Sequence, residues 1–380
     1  MLKIQHARAV LDNSVKDTNI YIENGRIAGL SEADLPADET LDAAGQYVAP
    51  GFIDTHVHGA GGVDFMGTPE DFRTAASLHL SHGTTTLLPT TMAASYEATV
   101  AAIDSFKAVV AEGGELPYMP GMHLEGPYFS PMQAGAQPPE YIYPPRPAEY
   151  NELIARAEGG ILKWSFAPEL EGALAFCDTM VKNGIFPVIG HTDATYDDVL
   201  LAYEHGARCL THFYSSMSTI TRRSGFRILG VVEAGYLLDE MWVEVIGDGC
   251  HLPPPLLKMI LKVKGPHRVM TITDATSPAL LPEGAEVPNG YIIEDGVCKL
   301  PDRTCFGGSI ATTDRIVRTM VKEAGCDLPT AVRMMTKNPA SFLGLRGKGE
   351  LLVGYDADLV FFDDDIRVHT VMQNGRVVSK

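Results

Sequence analysis

Short apolar runs rich in β-branched residues recur eight times between residues 51 and 274, and they constrain the fold more than any other feature of the sequence. Stretches long enough for a helix separate these runs, and strands that alternate with helices predict a parallel sheet. Eight such units over about 290 residues favour a (β/α)8 barrel over an open, doubly wound sheet. The eight runs are residues 51–58, 84–90, 118–125, 161–167, 186–191, 208–213, 242–247 and 269–274.

Both ends of the chain have a different pattern, in which short alternating strands flank a hairpin turn. Asn-Gly pairs lie between two such strands at residues 24–25 and again at residues 374–375. This dipeptide is the strongest short-range signal for a β-hairpin, and the termini of a compact unit usually lie close together. We therefore predict an α/β protein with a barrel domain over 51–345 and a small β-sandwich domain built from 1–50 plus 346–380.

Composition and charge exclude several classes of protein. The 380 residues carry 30 Lys and Arg against 48 Asp and Glu, a net charge of −18 that disfavours binding to nucleic acid or to an anionic membrane. No apolar run reaches the roughly 18 residues of a membrane span, and the N-terminus has no signal-peptide pattern. The six cysteines have no CxxC spacing and are expected to be free thiols. These features predict a cytoplasmic protein.

Residues 138–147 contain five prolines, too many for a helix or a central strand. The segment is therefore predicted to be a long loop between the third and fourth barrel strands. Two roles stay open for it, because it is either a lid over an active site at the C-terminal face of the barrel or a stiff structural loop.

The first barrel strand ends in a His-x-His pair formed by His56 and His58. Because one residue separates them, both imidazoles project to the same face of the strand. Imidazole is the commonest metal ligand, although histidine pairs also occur without a metal. The position favours the metal interpretation, since a barrel carries its catalytic residues at the C-terminal ends of its strands.

Four further side chains that can bind a metal ion or a proton also stand at strand ends. Each alone has an ordinary alternative, such as a solvated acid for Glu125 or a helix cap for Asp274. Their common position makes coincidence implausible, and four imidazoles with two carboxylates can hold one or two divalent ions such as Zn²⁺ or Fe²⁺. The four are Glu125 after the third run, His191 after the fifth, His212 after the sixth and Asp274 after the eighth.

Two loops carry candidate substrate contacts. His251 follows the seventh run and is either a substrate contact or an ordinary loop histidine. Arg222, Arg223 and Arg227 crowd the loop after the sixth run in an otherwise acidic chain. Arginine pairs bidentately with phosphate, so this cluster indicates an anionic substrate group, unless it is simply a solvated charged loop.

Over nearly its whole length, the chain resembles the amidohydrolase superfamily and, within it, the N-acetylglucosamine-6-phosphate deacetylase family. The most specific motif is the one that contains Glu125. The motifs that carry the resemblance are APGFIDTHVHG (49–59), HLEGP (123–127), GHT (190–192), THF (211–213), GDGCH (247–251), TDA (273–275) and GYDADL (354–359).

This resemblance implies a function and a set of roles. The function is the metal-dependent removal of the N-acetyl group from an amino-sugar phosphate, N-acetylglucosamine 6-phosphate first, by a homodimer. One or two divalent metal ions are implied, with zinc ahead of iron, manganese or cobalt. The implied residues are His191, His212 and Glu125 for one ion, His56 and His58 for a second, Asp274 as general acid/base, His251 as a substrate contact, and Arg223 as a phosphate ligand that reaches into a neighbouring subunit.

Three residues, in two segments of the chain, depart from the family's pattern. Ser215 and Ser216 stand where the family typically has Asn-Ala, and Gln137 stands where a substrate-facing histidine is usual. All three are expected to contact the sugar. The resemblance therefore indicates the type of reaction more firmly than it indicates which sugar is the substrate. N-acetylgalactosamine 6-phosphate, a cyclic amide and an N-acyl amino acid stay open as substrates, and a non-catalytic sugar-phosphate binding protein is a further alternative.

Overall fold

The computed structural model of the chain describes residues 1–281, 286–287 and 290–379. These ranges contain all six cysteines, and each is a free thiol, as predicted. Every helix within them is too short or too polar to cross a membrane.

The N-terminal segment forms a group of strands joined by tight turns. The turn between the second and third strands has φ angles of 52° at Asn24 and 77° at Gly25, the left-handed conformation that a two-residue hairpin turn requires. The strands are β1 (Leu2–Val10), β2 (Val15–Glu23), β3 (Arg26–Ser31), β4 (Glu39–Asp42) and β5 (Tyr47–Pro50).

The central segment contains the barrel strands and several short strand pairs. Its strands are β6 (Phe52–Val57), β7 (Gly59–Ala60), β8 (Val63–Asp64), β9 (Thr84–Pro89), β10 (Met122–Glu125), β11 (Ile161–Phe166), β12 (Phe186–Ile189), β13 (Cys209–Leu210), β14 (Thr221–Arg223), β15 (Phe226–Ile228), β16 (Trp242–Ile246), β17 (Val269–Ile272), β18 (Ile292–Glu294) and β19 (Val297–Lys299).

Backbone pairing arranges eight of these strands as a closed, parallel barrel. β10, β11, β12, β13, β16 and β17 pair in that order, and β6 pairs with β9. A parallel bridge between Thr90 and His123 connects β9 to β10, and the N–H of Asp274 donates to the carbonyl of His56 at 2.9 Å to close the ring. Each barrel strand lies within one predicted apolar run, so the predicted α/β barrel is confirmed.

Helices follow most of the barrel strands, and their starts show why they begin where they do. Thr68 and Thr195 each cap a helix by accepting from a backbone N–H, and an aspartate three residues later completes a capping box. The helices are α1 (Pro69–Ser81), α2 (Tyr96–Glu112), α3 (Pro147–Ala157), α4 (Ala173–Lys182), α5 (Tyr196–Glu204), α6 (Val231–Leu237), α7 (Pro254–Lys264), α8 (Thr313–Lys322), α9 (Leu328–Met335) and α10 (Lys337–Leu343).

The C-terminal strands return to the N-terminal ones. They are β20 (Leu359–Phe362), β21 (Val368–Gln373) and β22 (Arg376–Ser379). Within the described residues, both ends form one sheet in the order β22-β21-β20-β5-β1-β2-β3, with β4 also on β1. This sheet has its own apolar core, which includes Ile20, Leu359 and Phe361. A division into 1–50 plus 346–380 against 51–345 stays our proposal for the domain boundaries.

The proline-rich segment is a loop up to the start of α3 at Pro147, as predicted, with a short 3-10 turn at Pro139–Tyr141. Another such turn, Pro131–Gln133, precedes it. The N–H of Tyr143 donates to the carbonyl of Pro127, so the loop folds back on its own beginning. The buried indole of Trp164 donates to the carbonyl of Gly126 at 2.8 Å and fixes the chain just after Glu125.

Candidate metal centre and active site

The predicted metal ligands converge at the C-terminal end of the barrel. At the end of β6, the Nε2 atoms of His56 and His58 lie 3.2 Å apart, and both side chains are buried. This is the same-face geometry expected of a His-x-His pair on a strand.

A second group of ligands gathers around Glu125 at the end of β10. Its Oε1 lies 2.9 Å from Nε2 of His212 and 3.3 Å from Nε2 of His191. The Nε2 atoms of these two histidines are 3.1 Å apart. Three barrel strands therefore deliver three ligand atoms to one point.

The carboxylate of Glu125 joins the two groups. Its Oε1 is 3.3 Å from Nε2 of His56, and its Oε2 is 3.3 Å from Nε2 of His58. Each triad, one with the His-x-His pair and one with His191 and His212, has its ligand atoms within 4.8 Å of one another. Imidazole and carboxylate ligands of this kind suit a borderline divalent ion and leave coordination positions open. The residues present therefore fit a divalent metal.

The charges of the cluster explain why it attracts a cation. Burial lowers the pKa of His56 and His58, but Glu125 and Asp274 raise it by more, to about 9 and about 10. Burial raises the pKa of Glu125, and the neighbouring histidines, His56 foremost, bring it well below its usual range. Burial also lowers the pKa of His212, which keeps its imidazole in the neutral, metal-binding form. The ionised carboxylates thus stabilise a positive charge, and metal binding there competes with protons.

Three site residues reach the centre through strained backbone. His191, His212 and Asp274 have φ angles of 47°, 26° and 49°, in the left-handed region that residues with a side chain rarely adopt. Each such conformation costs about 1–3 kcal/mol and persists where the surrounding structure over-determines it, which is typical of functional sites. The strain supports the interpretation that these strand ends are shaped for binding.

Asp274 lies beside the His-x-His pair, where the last barrel strand ends. Its Oδ1 is 3.2 Å from Nε2 of His58 and 3.5 Å from Nε2 of His56. Its carbonyl accepts from the N–H of Ser309 at 2.8 Å, so the backbone is held on both sides. Burial raises the pKa of Asp274, but the two histidines lower it by more, so the side chain is an ionised base.

A cavity of about 240 Å³ opens at this cluster, and Asp274 is part of its lining. Met92 and Phe306 give it an apolar wall, so it combines convergent polar groups with apolar surface, as small-molecule sites commonly do. The predicted substrate contacts that line it are Gln137, Ser215, Ser216 and His251.

Gln137, which is expected to contact the sugar, lines the cavity and also contacts Glu125. Its Nε2 donates to Oε2 of Glu125 at 2.7 Å, and its Oε1 accepts from the N–H of Ala93 at 2.8 Å. The hydrogen bond from Nε2 orients Glu125, and one amide hydrogen remains for the cavity. Sequence reasoning missed this contact because it depends on how the loop after β10 folds back over the strand end.

His251 is held by a neighbouring carboxylate. Its Nδ1 lies 2.8 Å from Oδ2 of Asp248, and its backbone N–H donates to the other oxygen at 2.9 Å. Burial lowers the pKa of His251, and Asp248 raises it by more. With Nδ1 committed to Asp248, Nε2 is the ring atom left for a ligand.

Arg223 lies outside the cavity lining of its own chain. It belongs to the β14–β15 hairpin, where it is exposed together with Arg222 and Arg227. The same hairpin carries Phe226, whose side chain is 76% exposed. A phosphate contact by Arg223 therefore stays a prediction.

Two charged residues that the sequence analysis missed lie in the barrel interior. Lys163 on β11 and Glu244 on β16 form an ion pair with both side chains fully buried. Glu244 also accepts from the hydroxyls of Thr55 at 2.5 Å and Thr211 at 2.9 Å. A signal was present in the sequence, since each is a lone charge in the middle of an apolar run.

Fold and site together define a metal-dependent hydrolase. The barrel gathers four imidazoles around a shared carboxylate, and a separate carboxylate, Asp274, stands at the wall of the adjoining cavity. A metal that activates water and a carboxylate that transfers its proton are the two requirements of metal-assisted hydrolysis.

The chain belongs to the amidohydrolase family, whose model matches residues 47–378. The match includes every barrel strand and all of the candidate ligands. The family thus agrees with the class that the geometry defines.

Curated relatives cover almost the whole chain. N-acetylglucosamine-6-phosphate deacetylase of Lysinibacillus sphaericus is 30% identical over 94% of this chain and 92% of its own. N-acetylgalactosamine-6-phosphate deacetylase of Escherichia coli O157:H7 is 31% identical over 100% of both. Among solved structures, a mutant N-acetyl-D-glucosamine-6-phosphate deacetylase from Mycobacterium smegmatis in complex with N-acetyl-D-glucosamine 6-phosphate is 31% identical, with a TM-score of 0.91 over 100% of this chain and 99% of that one.

Proposed function

We propose that the protein hydrolyses the acetamide of an N-acetylhexosamine 6-phosphate, with N-acetylglucosamine 6-phosphate as the first substrate and glucosamine 6-phosphate and acetate as products. The observation that carries the proposal is the position of Asp274, whose Oδ1 lies 3.2 Å from Nε2 of His58 at the wall of the cavity. Amide hydrolysis needs such a carboxylate, because the amide nitrogen is a poor leaving group until it receives a proton. The names of the relatives support the sugar phosphate.

We assign one metal ion to His191, His212 and Glu125, and a second to His56 and His58 with Glu125 shared. A bound divalent ion polarises a carbonyl group and lowers the pKa of water. Zinc is our first choice because imidazole and carboxylate ligands with an open position are its usual catalytic set. Iron, manganese and cobalt suit the same ligands.

The chain's own residues move the proton. Asp274 accepts it from the attacking water as the water oxygen bonds to the acetyl carbon. It then transfers the same proton to the sugar nitrogen as the C–N bond breaks, so that acetic acid and the neutral amine are released, and the acid ionises to acetate in water. His251 contacts a substrate oxygen through Nε2, since its Nδ1 is committed to Asp248.

N-acetylgalactosamine 6-phosphate is the second candidate substrate. The Escherichia coli O157:H7 relative carries that activity in its name and matches the full chain at 31% identity. Ser215 and Ser216 line the cavity. Two small hydroxyl side chains there can hydrogen-bond a sugar hydroxyl of either configuration, so this pair of residues favours a test of both epimers.

Acetate release tests the proposal directly. Metal-reconstituted protein is assayed in parallel with N-acetylglucosamine 6-phosphate, N-acetylgalactosamine 6-phosphate and unphosphorylated N-acetylglucosamine. We expect rapid turnover of one phosphosugar and loss of that activity after treatment with a chelator. If the metal-loaded protein released no acetate from any of the three substrates, the deacetylase proposal would be overturned. Hydrolysis of another amide substrate, or a binding role, would take its place.

We also propose that the protein works as a homodimer in the cytoplasm. The exposed β14–β15 hairpin supports the dimer, because Arg223 does not line the cavity of its own chain and a contact with the substrate of a second copy would account for its position. Light scattering of the purified chain checks the assembly, and a monomer at all concentrations would contradict it.

Arg223→Ala is expected to raise KM for the phosphorylated substrate by roughly 10- to 100-fold, the value of a charge-assisted hydrogen bond to phosphate. The KM for the unphosphorylated sugar is expected to stay unchanged, because that substrate has no anion for the guanidinium. Arg156→Ala, at an exposed arginine of α3 that pairs with Asp104, is the control for loss of a guanidinium elsewhere. Equal effects of Arg223→Ala on both sugars would remove the phosphate role.

A further inference from the structure

The interior of this barrel contains a charged network that the proposed chemistry does not use. Barrel interiors are ordinarily filled by layers of branched apolar side chains. Here Lys163 and Glu244 lie among them with side chains that are 0% exposed. Burying two charges is costly and is weak evidence for stability, so the pair calls for another explanation.

The contacts of the pair lead to one metal ligand. Glu244 Oε2 accepts from the hydroxyl of Thr211 at 2.9 Å, and the Thr211 oxygen lies 2.9 Å from Nδ1 of His56. Lys163 Nζ donates to the carbonyl of Thr55 at 3.0 Å, which fixes the backbone immediately before His56. Both the ring and the main chain of that ligand are therefore tied to the buried pair.

Hydrogen-bond accounting sets the direction of each bond. The carboxylate of Glu244 is paired with Lys163, so it is an acceptor, and the single hydroxyl hydrogen of Thr211 is committed to it. Nδ1 of His56 must then carry the hydrogen that it shares with the Thr211 oxygen. When the ring is neutral, as metal binding requires, the lone pair of His56 lies on Nε2, the atom that faces Glu125 and His58. At 3.8 Å, Nδ1 is too far from Glu244 for a direct bond, so Thr211 is indispensable to this arrangement.

We infer that Thr211 is a positioning residue that, with Glu244 and Lys163 behind it, holds His56 in the tautomer able to bind the second metal ion. The inference rests on the metal-ligand role proposed for His56 and is independent of which sugar is the substrate. Residues that hydrogen-bond a metal ligand from behind fix its ring orientation and its basicity. Their loss commonly lowers metal affinity by about 10- to 100-fold.

Thr211→Val tests the inference, because it replaces the hydroxyl with a methyl group of nearly the same size. We expect a 10- to 100-fold weaker affinity for the second Zn²⁺ ion, measured by competition with a chelator, and an unchanged affinity for the first. Thr211→Ser, which keeps the hydroxyl, is expected to restore the affinity. Thr271→Val is the matched control, because the Thr271 hydroxyl is also buried on a barrel strand but has no hydrogen-bond partner among the residues that the structure describes.

A second readout follows the tautomer itself. In long-range ¹H–¹⁵N spectra of histidine-labelled, zinc-loaded wild-type protein, the signals assigned to His56 should place its ring hydrogen on Nδ1, as for His191 and His212, whose Nδ1 atoms face backbone carbonyls. The His56 signature alone should change in Thr211→Val. Wild-type affinity for both ions in Thr211→Val would overturn the inference, as would a wild-type chain that takes up a single ion. If Thr211→Val weakened the affinity for both ions equally and Thr211→Ser did not restore it, Thr211 would have a purely structural role. None of these results depends on acetate release, so a failed deacetylase assay stays distinguishable.

Discussion

Asp274→Asn is expected to lower kcat by about 10²- to 10⁴-fold, the usual contribution of a general acid–base residue, while the metal content stays that of the wild type. Asparagine keeps the size of the side chain but neither accepts a proton from water nor delivers one to an amine. The metal content is expected to survive because the ligand atoms of both triads belong to other residues.

The measurement pairs steady-state acetate release with metal analysis of the same preparation. Asp178→Asn, an exposed aspartate on α4 that pairs with His205, is the control for loss of a carboxylate elsewhere. Near-normal turnover of a metal-loaded Asp274→Asn variant would remove the residue from the proton-transfer role. A loss of metal that accompanies the loss of rate would instead make Asp274 a ligand.

Lys163→Met is expected to lower the free energy of unfolding by about 3–5 kcal/mol, because it leaves the carboxylate of Glu244 buried without its countercharge. The two side chains are fully buried, so water cannot replace the ammonium group. Thermal unfolding after chelator treatment measures this effect without a contribution from metal binding. We expect the melting temperature to fall by several degrees.

The double variant Lys163→Met with Glu244→Leu separates stability from function. Replacing both charges with apolar groups of similar volume is often neutral or stabilising, so we expect most of the lost stability to return. Affinity for the second metal ion should stay low in the double variant, since Thr211 no longer has its acceptor. A Lys163→Met variant as stable as the wild type would show that Glu244 tolerates the loss of its partner.

Several features were accessible from the sequence because they depend on local periodicity. The run at 186–191 and the strand Phe186–Ile189 begin at the same residue, and the run at 242–247 differs from Trp242–Ile246 by one. The Asn-Gly pairs located the terminal hairpins for a similar reason, since the turn depends on two adjacent residues. In each of these cases the determining interaction lies within a few positions along the chain.

The roles of individual side chains were less accessible where they depend on contacts between distant segments. Gln137 fits the pattern of a cavity residue, yet its position against Glu125 depends on the path of the loop between them. Arg223 is outside the cavity because its segment forms a separate hairpin, although it follows a strand end like the other candidates.

The order of strands and helices and the residues at the strand ends could be derived from the sequence alone, because both follow from the two- and 3.6-residue repeats of side-chain direction. The contacts between residues distant in the sequence depend on closure of the barrel. Closure brought Lys163 to Glu244 across 81 positions and Thr211 to His56 across 155. Hydrogen bonds and ion pairs act over about 3 Å, and no periodic pattern specifies which distant residues come within that distance. Only the tertiary structure could therefore reveal the network behind the metal ligands.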